Sequence, residues 1–309
     1  MKSYEAVVIG GGPAGLTAAL YLVRSGVKTL LVEKLSPGGQ VLMTEEIENY
    51  PGFPKAVKGY ELVDKFVEHL ANYKIDKMSD EVRAITARDG GYVIQIGDES
   101  VETKAVVLCT GARYKHVGVP GEDAYLGKGV SYCALCDGNF FRGKTVAVIG
   151  GGNSALEESL YLARLVDKLY LIHRRDDFRG CKCYQHKCEV NPKITMLRNT
   201  VVVEIRGDLF KGVTGVALKN LKSGEKSELP LDGVFVLIGF EPVASFVPET
   251  LERDKAGFVV TDCEMRTNLP GFFAAGDIRS KNCRQVATAV GDGATAATAA
   301  YAYLENLHA

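Results

Sequence analysis

Two cysteines three positions apart, followed at once by an acid, make Ser131-Tyr132-Cys133-Ala134-Leu135-Cys136-Asp137-Gly138 the first stretch to ask for chemistry. A Cys-x-x-Cys unit can be half of a zinc site or a dithiol that cycles through a disulfide. Zinc needs two more ligands at suitable spacing. The nearest supply is Cys181, Cys183, His186 and Cys188, well down the chain. A dithiol needs a proton carrier, and Asp137 stands directly beside the pair. The dithiol reading accounts for more of these residues, and no metal is expected. The cluster Cys181–Cys188 could bind a soft metal, but it reads better as tolerated cysteines on one helix.

Two glycine clusters supply a second kind of chemistry. Gly10-Gly11-Gly12-Pro13-Ala14-Gly15 follows an apolar run and precedes a helical pattern. In such a turn the first glycine makes the bend, the second lets a pyrophosphate approach, and the third lets helix and strand pack closely. The helix N-terminus adds free N–H groups and partial positive charge. Glu33, 18 residues after Gly15, is placed to accept hydrogen bonds from a ribose. Gly150, Gly152 and Ala155 repeat the pattern, with Asn153 and Ser154 opening the helix. There the position of Glu33 is taken by His173, followed by Arg174, Arg175 and Arg179. An acid repels a ribose 2′-phosphate, whereas a basic cluster binds it through charge-assisted hydrogen bonds. His173 has a rival reading as a spacer before the arginines. The first site therefore suits a nucleotide with a free ribose, FAD or NAD, and the second suits NADP. A flavin and a nicotinamide in one chain make an electron-transfer protein.

The elements that must position these groups are legible as a repeat. Ala6–Gly15 recurs 140 residues later as Val146–Ala155, and Leu20–Arg24 recurs as Leu160–Arg164. Each copy reads as strand, glycine turn, amphipathic helix and second strand (Thr29–Glu33 and Leu169–His173), a βαβ unit that requires a parallel sheet. Alternating runs at Tyr92–Ile96 and Glu102–Leu108 flank Gly97-Asp98, a hairpin signal, and further runs lie at Val201–Ile205, Val213–Leu218 and Val234–Ile238. The tail from Gly271, with Gly276-Asp277 and then a helix of small residues, is expected to complete the first domain. The fold class is thus α/β. Two Rossmann-like, three-layer ββα dinucleotide-binding domains are expected, residues 1–117 with 243–309 and an inserted 118–242, crossing near Gly118 and Pro242.

Composition agrees with a globular chain, at 46% hydrophobic and 24% charged residues. The formal net charge of −1 argues against nucleic acid or an anionic membrane as the main partner, since either usually calls for a basic excess. The best candidate for a membrane span, Val286–Leu304, is rich in small residues and interrupted by Asp292. The apolar N-terminal run is explained by the glycine turn that follows it rather than by a signal peptide. A cytoplasmic protein is expected, in which the 8 cysteines are mostly free thiols. Cys109 and Cys263 read as packing, and Cys283 as a bystander.

Taken in order, the first fingerprint, Cys133-Ala-Leu-Cys136-Asp137, the second fingerprint, His173-Arg-Arg-x-x-Phe178-Arg179 and Gly276-Asp277 resemble the low-molecular-weight thioredoxin reductases over nearly the whole chain. The resemblance implies FAD in the first domain, NADPH in the second, a homodimer, and thioredoxin as the substrate partner. It implies that Cys136 is the flavin-proximal thiol, that Cys133 attacks the thioredoxin disulfide, and that Asp137 is the acid. Flavin contacts carried over by motif are Gly39, Gln40, Thr44, Asn49, Val82, Thr110 and Gly111, with Asp277 on the ribityl chain. Arg284, Gln285 and Ala287 fall beside the flavin ring, with a helix starting near Ala287. The family further implies a rotation of the inserted domain about Lys115–Pro120 and Gly239–Val243. Tyr132 and Leu135 are bulky for the dithiol's surroundings. Rival functions are a reductase of another disulfide carrier, glutaredoxin- or peroxiredoxin-like, a ferredoxin–NADP type reductase, which would lack the dithiol, and a redox sensor without turnover.

Overall fold

The apolar runs that precede each glycine cluster become central strands of two parallel sheets. A computed structural model describes residues 1–44, 46–208 and 210–308. The chain divides into two units, Met1–Arg113 with Glu241–Ala309, and Tyr114–Phe240. The crossings fall at residues 113/114 and 240/241, a few positions before the 117/118 and 242/243 expected from the glycines and prolines.

In the first unit, β1 (Lys2–Ile9) leads through the glycine turn into α1 (Pro13–Arg24) and β2 (Thr29–Val32). Then come α2 (Gly59–Ala71), β3 (Asp76–Met78), β4 (Val82–Arg88), β5 (Gly91–Ile96) and β6 (Glu99–Leu108). The sheet order is β3-β2-β1-β6-β5-β4, parallel from β3 to β6 and antiparallel through β5 and β4. The tail strand Phe272–Ala274 adds to β6 in parallel, and the C-terminal helix Val286–His308 packs on α1. Alternation along β1 sends Ala6 and Val8 to the core shared with these helices and Val7 and Ile9 to the opposite core, which includes Ile85 and Ile94.

The second unit repeats this plan. It runs β7 (Val130–Ser131), α3 (Ala134–Asp137), β8 (Thr145–Ile149), α4 (Asn153–Leu162), β9 (Lys168–Ile172), α5 (Lys182–Glu189) and β10 (Ile194–Leu197). An antiparallel trio follows, β11 (Thr200–Asp208), β12 (Gly212–Asn220) and β13 (Lys226–Pro230), before β14 (Gly233–Val236) returns to the parallel sheet β7-β14-β8-β9-β10. Val8 pairs with Leu31 in the first unit, and Val148 pairs with Leu171 in the second. The repeat thus keeps both its register and its 140-residue offset. Val146 and Val148 face α4 and α5, while Ala147 and Ile149 face the antiparallel trio. Both valines are fully buried, each worth about 1.5–3 kcal/mol. β13 was not anticipated: Lys226–Pro230 is exposed or half-exposed and polar, with little apolar alternation to reveal it.

Candidate functional site

The first cradle is built by glycines that the chain could not replace. Gly10 has φ +105°, and a Cβ there would strike the Cys109 carbonyl. A Cβ on Gly15 would strike the Gly10 carbonyl, so the helix seats against the turn only because side chains are missing. Gly12 differs: a Cβ would meet nothing within 4 Å, and no side chain caps the α1 N-terminus. Its orphan N–H groups therefore face open space, with Pro13 supplying the position that has no N–H to satisfy. Glu33, just past β2, accepts from Gly11 N at 2.6 Å and from Leu35 N at 2.9 Å.

The remaining first-unit residues expected at the site are brought together by loops. Gly38 N donates to Gly11 O at 2.7 Å, which lays Gly39 beside Gly12. The Gln40 amide donates to Ala112 O, and Thr44 closes the short 3-10 turn Gly39–Met43. Asn49 donates to Gln285 at 3.1 Å. Thr110 Oγ1 donates to Val243 O at 2.6 Å, and Val243 N donates to Gly111 O at 3.1 Å. Val82 is buried at the start of β4, beside Glu81, which pairs with Lys34 just beyond Glu33. Gly276 abuts Ala14 in the first turn of α1, and its N–H donates to Asp292 at 3.1 Å. The Arg284 guanidinium lies 4.1 Å from the Phe258 ring centroid and donates to Lys281 O. The C-terminal helix begins at Val286, placing Ala287 in its first turn.

Asp277 tests whether a flavin suits this cradle. Its Oδ1 is buried with no hydrogen-bond partner among the described residues, and Lys281 Nζ is 3.7 Å away. Burial pushes its pKa up, against the lowering effects of Lys281 and Arg284. A buried acceptor left in this state is costly unless a donor arrives. A polyhydroxylated chain supplies such donors, so the residues present fit the ribityl of a flavin.

The second cradle repeats the packing with a different reader. A Cβ on Gly150 would strike Leu237 O and lie 2.6 Å from Ala155 Cβ, while Gly152, at the uncapped α4 N-terminus, opens to space. Where Glu33 crowds Gly11, the His173 ring crowds Gly151. His173 is buried, stacks on Phe178 at 4.6 Å, and its Nε2 lies 3.1 Å from Asp177 O. Burial pushes its pKa down, so the ring is a neutral wedge shaping the turn. Arg174, Arg175 and Arg179 are exposed and make no side-chain hydrogen bond or ion pair among the described residues. Asp176, in the same loop, is already bound by Lys222 at 2.5 Å and Asn199 at 3.0 Å. Three unpartnered guanidinium groups past β9 fit a nucleotide that carries an extra phosphate. Asn153 Oδ1 accepts from Cys181 N at 2.7 Å, and Ser154 stays exposed.

Cys133 and Cys136 form a disulfide, with their Cα atoms 5.3 Å apart. Cys133 is the N-cap of α3, and its Sγ accepts from Cys136 N at 3.2 Å. Asp137 N donates to Cys133 O at 3.1 Å, closing the turn. Ser131 Oγ donates to Asp137 Oδ2 at 2.5 Å and accepts from Cys133 N at 3.1 Å, which orients the acid beside the pair. Two residues here were not singled out from sequence. Ser131 sits two positions before Cys133, a spacing any turn serine could have. Glu158, whose Oε2 accepts from Ala134 N at 2.9 Å, is 24 residues away in sequence, and no local pattern ties them.

Among the cysteines outside this pair, Cys188 is buried and donates to Leu156 O, while Cys181 and Cys183 are exposed on or beside α5. Among the described residues no group of three or more His, Cys, Asp or Glu is arranged to hold a metal. Cys109 is buried, and burial raises its pKa. Cys263 is exposed, which corrects its reading as a packing residue: it lies in a loop held by Asp262 hydrogen bonds rather than in a strand end. Among the described residues no helix is long and apolar enough to cross a membrane.

Two dinucleotide cradles of one design, with a disulfide beside the second, define a flavin- and nicotinamide-dependent disulfide oxidoreductase. The family profile described as pyridine nucleotide-disulphide oxidoreductase matches residues 4–293, and the chain belongs to that family, in its low-molecular-weight thioredoxin reductase branch. It is 43% identical over 304 residues to a thioredoxin reductase of Treponema pallidum, covering 98% of each chain. It is 41% identical over 306 residues to one of Bacillus subtilis, covering 99% of this chain and 96% of that one. Among solved structures, thioredoxin reductase from Streptococcus pyogenes superposes with a TM-score of 0.93 at 42% identity, over 98% of this chain and 99% of that one.

Proposed function

We propose that the protein is a thioredoxin-disulfide reductase, carrying electrons from NADPH through FAD and the Cys133–Cys136 dithiol to oxidised thioredoxin. The observation that carries this is the disulfide at the N-cap of α3 in the unit whose nucleotide cradle ends in three unpartnered arginines. The assignment of thioredoxin itself rests on the named relatives. The reading takes the protein as a cytoplasmic homodimer.

In the first unit, the open α1 N-terminus at Gly12 would receive the FAD pyrophosphate, Glu33 the adenosine ribose, and Asp277 the ribityl hydroxyls. In the second, the α4 N-terminus at Gly152 would receive the NADPH pyrophosphate, and Arg174, Arg175 and Arg179 the 2′-phosphate. A bound flavin converts the two-electron hydride into electrons that a disulfide can accept. Cys136 and Cys133 take those electrons as the S–S bond between them opens. Cys133, as thiolate, then attacks the thioredoxin disulfide, and Cys136 resolves the mixed disulfide that results. Asp137, steered by Ser131, gives a proton to the leaving thiolate.

An anaerobic absorbance titration of the purified protein tests this reading. NADPH is expected to bleach a flavin band at low concentration, NADH only at much higher concentration, and added oxidised thioredoxin to restore the band. A flavin that neither nucleotide bleaches would sink the NADPH assignment. A flavin bleached by NADPH but not reoxidised by thioredoxin would sink the partner.

A further inference from the structure

Glu158 is a carboxylate that neither the nucleotide fingerprint nor the dithiol motif uses. It stands on α4 at the edge of the stripe formed by Ala155, Ser159 and Leu162, and that edge packs against α3. Its Oε2 accepts the Ala134 N–H at 2.9 Å, and Ala134 is itself fully buried. That amide nitrogen is bonded to the carbonyl carbon of Cys133, so the carboxylate meets the redox turn at its first peptide. The next amides of the same turn serve the dithiol directly, Cys136 N on Cys133 Sγ and Asp137 N on Cys133 O.

We propose that Glu158 is the proton-coupled positioning residue of the dithiol, holding the first turn of α3 through the Ala134 amide and taking up one proton when the Cys133–Cys136 disulfide is reduced. The inference rests on the dithiol reading above. Two electrons, from reduced flavin in turnover or from a thiol reagent on the bench, break the S–S bond, and two protons are consumed. One makes Cys133 a thiol. Cys136 remains a thiolate, and the second proton goes to Glu158.

Electrostatics gives the reason. A thiolate and a carboxylate serving one helical turn are like charges in a half-buried place, and each disfavours ionisation of the other. Glu158 is the poised partner: its pKa is raised to about 7, chiefly by burial, with the Ala134 amide acting to lower it and neighbouring Glu157 to raise it. The elements packed on α4 also carry Asp137 on α3, Lys182, Tyr184, His186, Lys187 and Glu189 on α5, and Lys168 on β9. Of these, Asp137 is engaged by Ser131 and Tyr184 by Glu157, and the charge acting on Glu158 is that of Glu157.

The test uses the flavin-loaded protein and its Glu158→Gln variant, whose amide oxygen can still accept from Ala134. After reduction by dithiothreitol, the alkylation rate of Cys133 and Cys136 is followed by peptide mass between about pH 6 and 9. The wild-type profile should be broad, with an inflection from Glu158. The Gln variant should give a single, sharper inflection displaced to lower pH by about one unit. Superimposable profiles would overturn the inference, because a merely structural acceptor is preserved in Gln. A measurement on the wild type guards against a misfolded variant: a reduced-minus-oxidised infrared difference spectrum at mildly alkaline pH should gain a protonated-carboxyl band. Absence of that band overturns the inference while leaving the dithiol intact. A Cys133–Cys136 pair that no thiol reagent opens overturns the dithiol reading, and this inference with it.

Discussion

Replacing Arg174 and Arg175 together with Ala should separate the two nicotinamide nucleotides. Both guanidinium groups are exposed and lack partners; of the two acids in their loop, Asp176 is occupied by Lys222 and Asn199, and Asp177 forms no ion pair with either arginine among the described residues. They therefore have no internal contact to lose, and the substitution should leave folding untouched. A charge-assisted hydrogen bond contributes about 1.5–3 kcal/mol. Solvent exposure puts each arginine at the lower end, so the pair should contribute about 3 kcal/mol to holding a 2′-phosphate. That is on the order of a hundredfold in affinity. NADH has no such phosphate and should lose less than about threefold. Anaerobic stopped-flow bleaching of the flavin, with each nucleotide varied, gives both affinities from one preparation. Part of the NADPH loss should vanish at high ionic strength, where the wild-type contacts are already screened. Equal losses for NADPH and NADH would refute the reasoning, and so would no loss for either.

Three further outcomes follow from the geometry. Cys133→Ser should leave flavin reduction by NADPH intact and abolish thioredoxin turnover in a coupled assay; retained turnover would remove Cys133 from the exchange step. Gly15→Ala should drive its methyl into the Gly10 carbonyl, so the first cradle must open, and purified protein should lose most of its flavin and melt several degrees lower; a flavin-replete variant of normal Tm would show that the turn tolerates a side chain. Glu158→Gln should also alter stability with pH. Burial raises Glu158 from 4.5 to about 7, so the folded state holds its proton more tightly than the unfolded chain. The contribution is whole below about pH 4.5 and is lost as pH climbs to about 7, a change of about 3 kcal/mol. The stability of wild type relative to Gln, from urea unfolding at acid and at mildly alkaline pH, should therefore fall as pH rises. A difference that does not change with pH would mean that the carboxylate is solvated.

What could be read from sequence was whatever the chain repeats or spaces locally. Val8–Leu31 and Val148–Leu171 pair in equivalent registers because the same alternation was written twice, and the fingerprint glycines announce their packing through the side chains they lack. The contrast between Glu33 and His173 was legible as a substitution at one offset. Its physical content was not, since His173 turned inward to wedge Gly151 and stack on Phe178, leaving the arginines to face solvent. The groups that tune the dithiol were hidden for a related reason. Ser131 reaches Asp137 across six residues, through the fold of the redox turn itself, and Glu158 reaches Ala134 across 24, a contact made only when α3 lies on α4. Sequence periodicity reports which face of α4 is apolar, but the value of a carboxylate at the rim of that face depends on what covers it. Here the cover is the first turn of the redox helix. A residue that would pass for a solvated glutamate in α4 alone therefore becomes, by packing, a half-buried carboxylate on the first peptide of the redox turn.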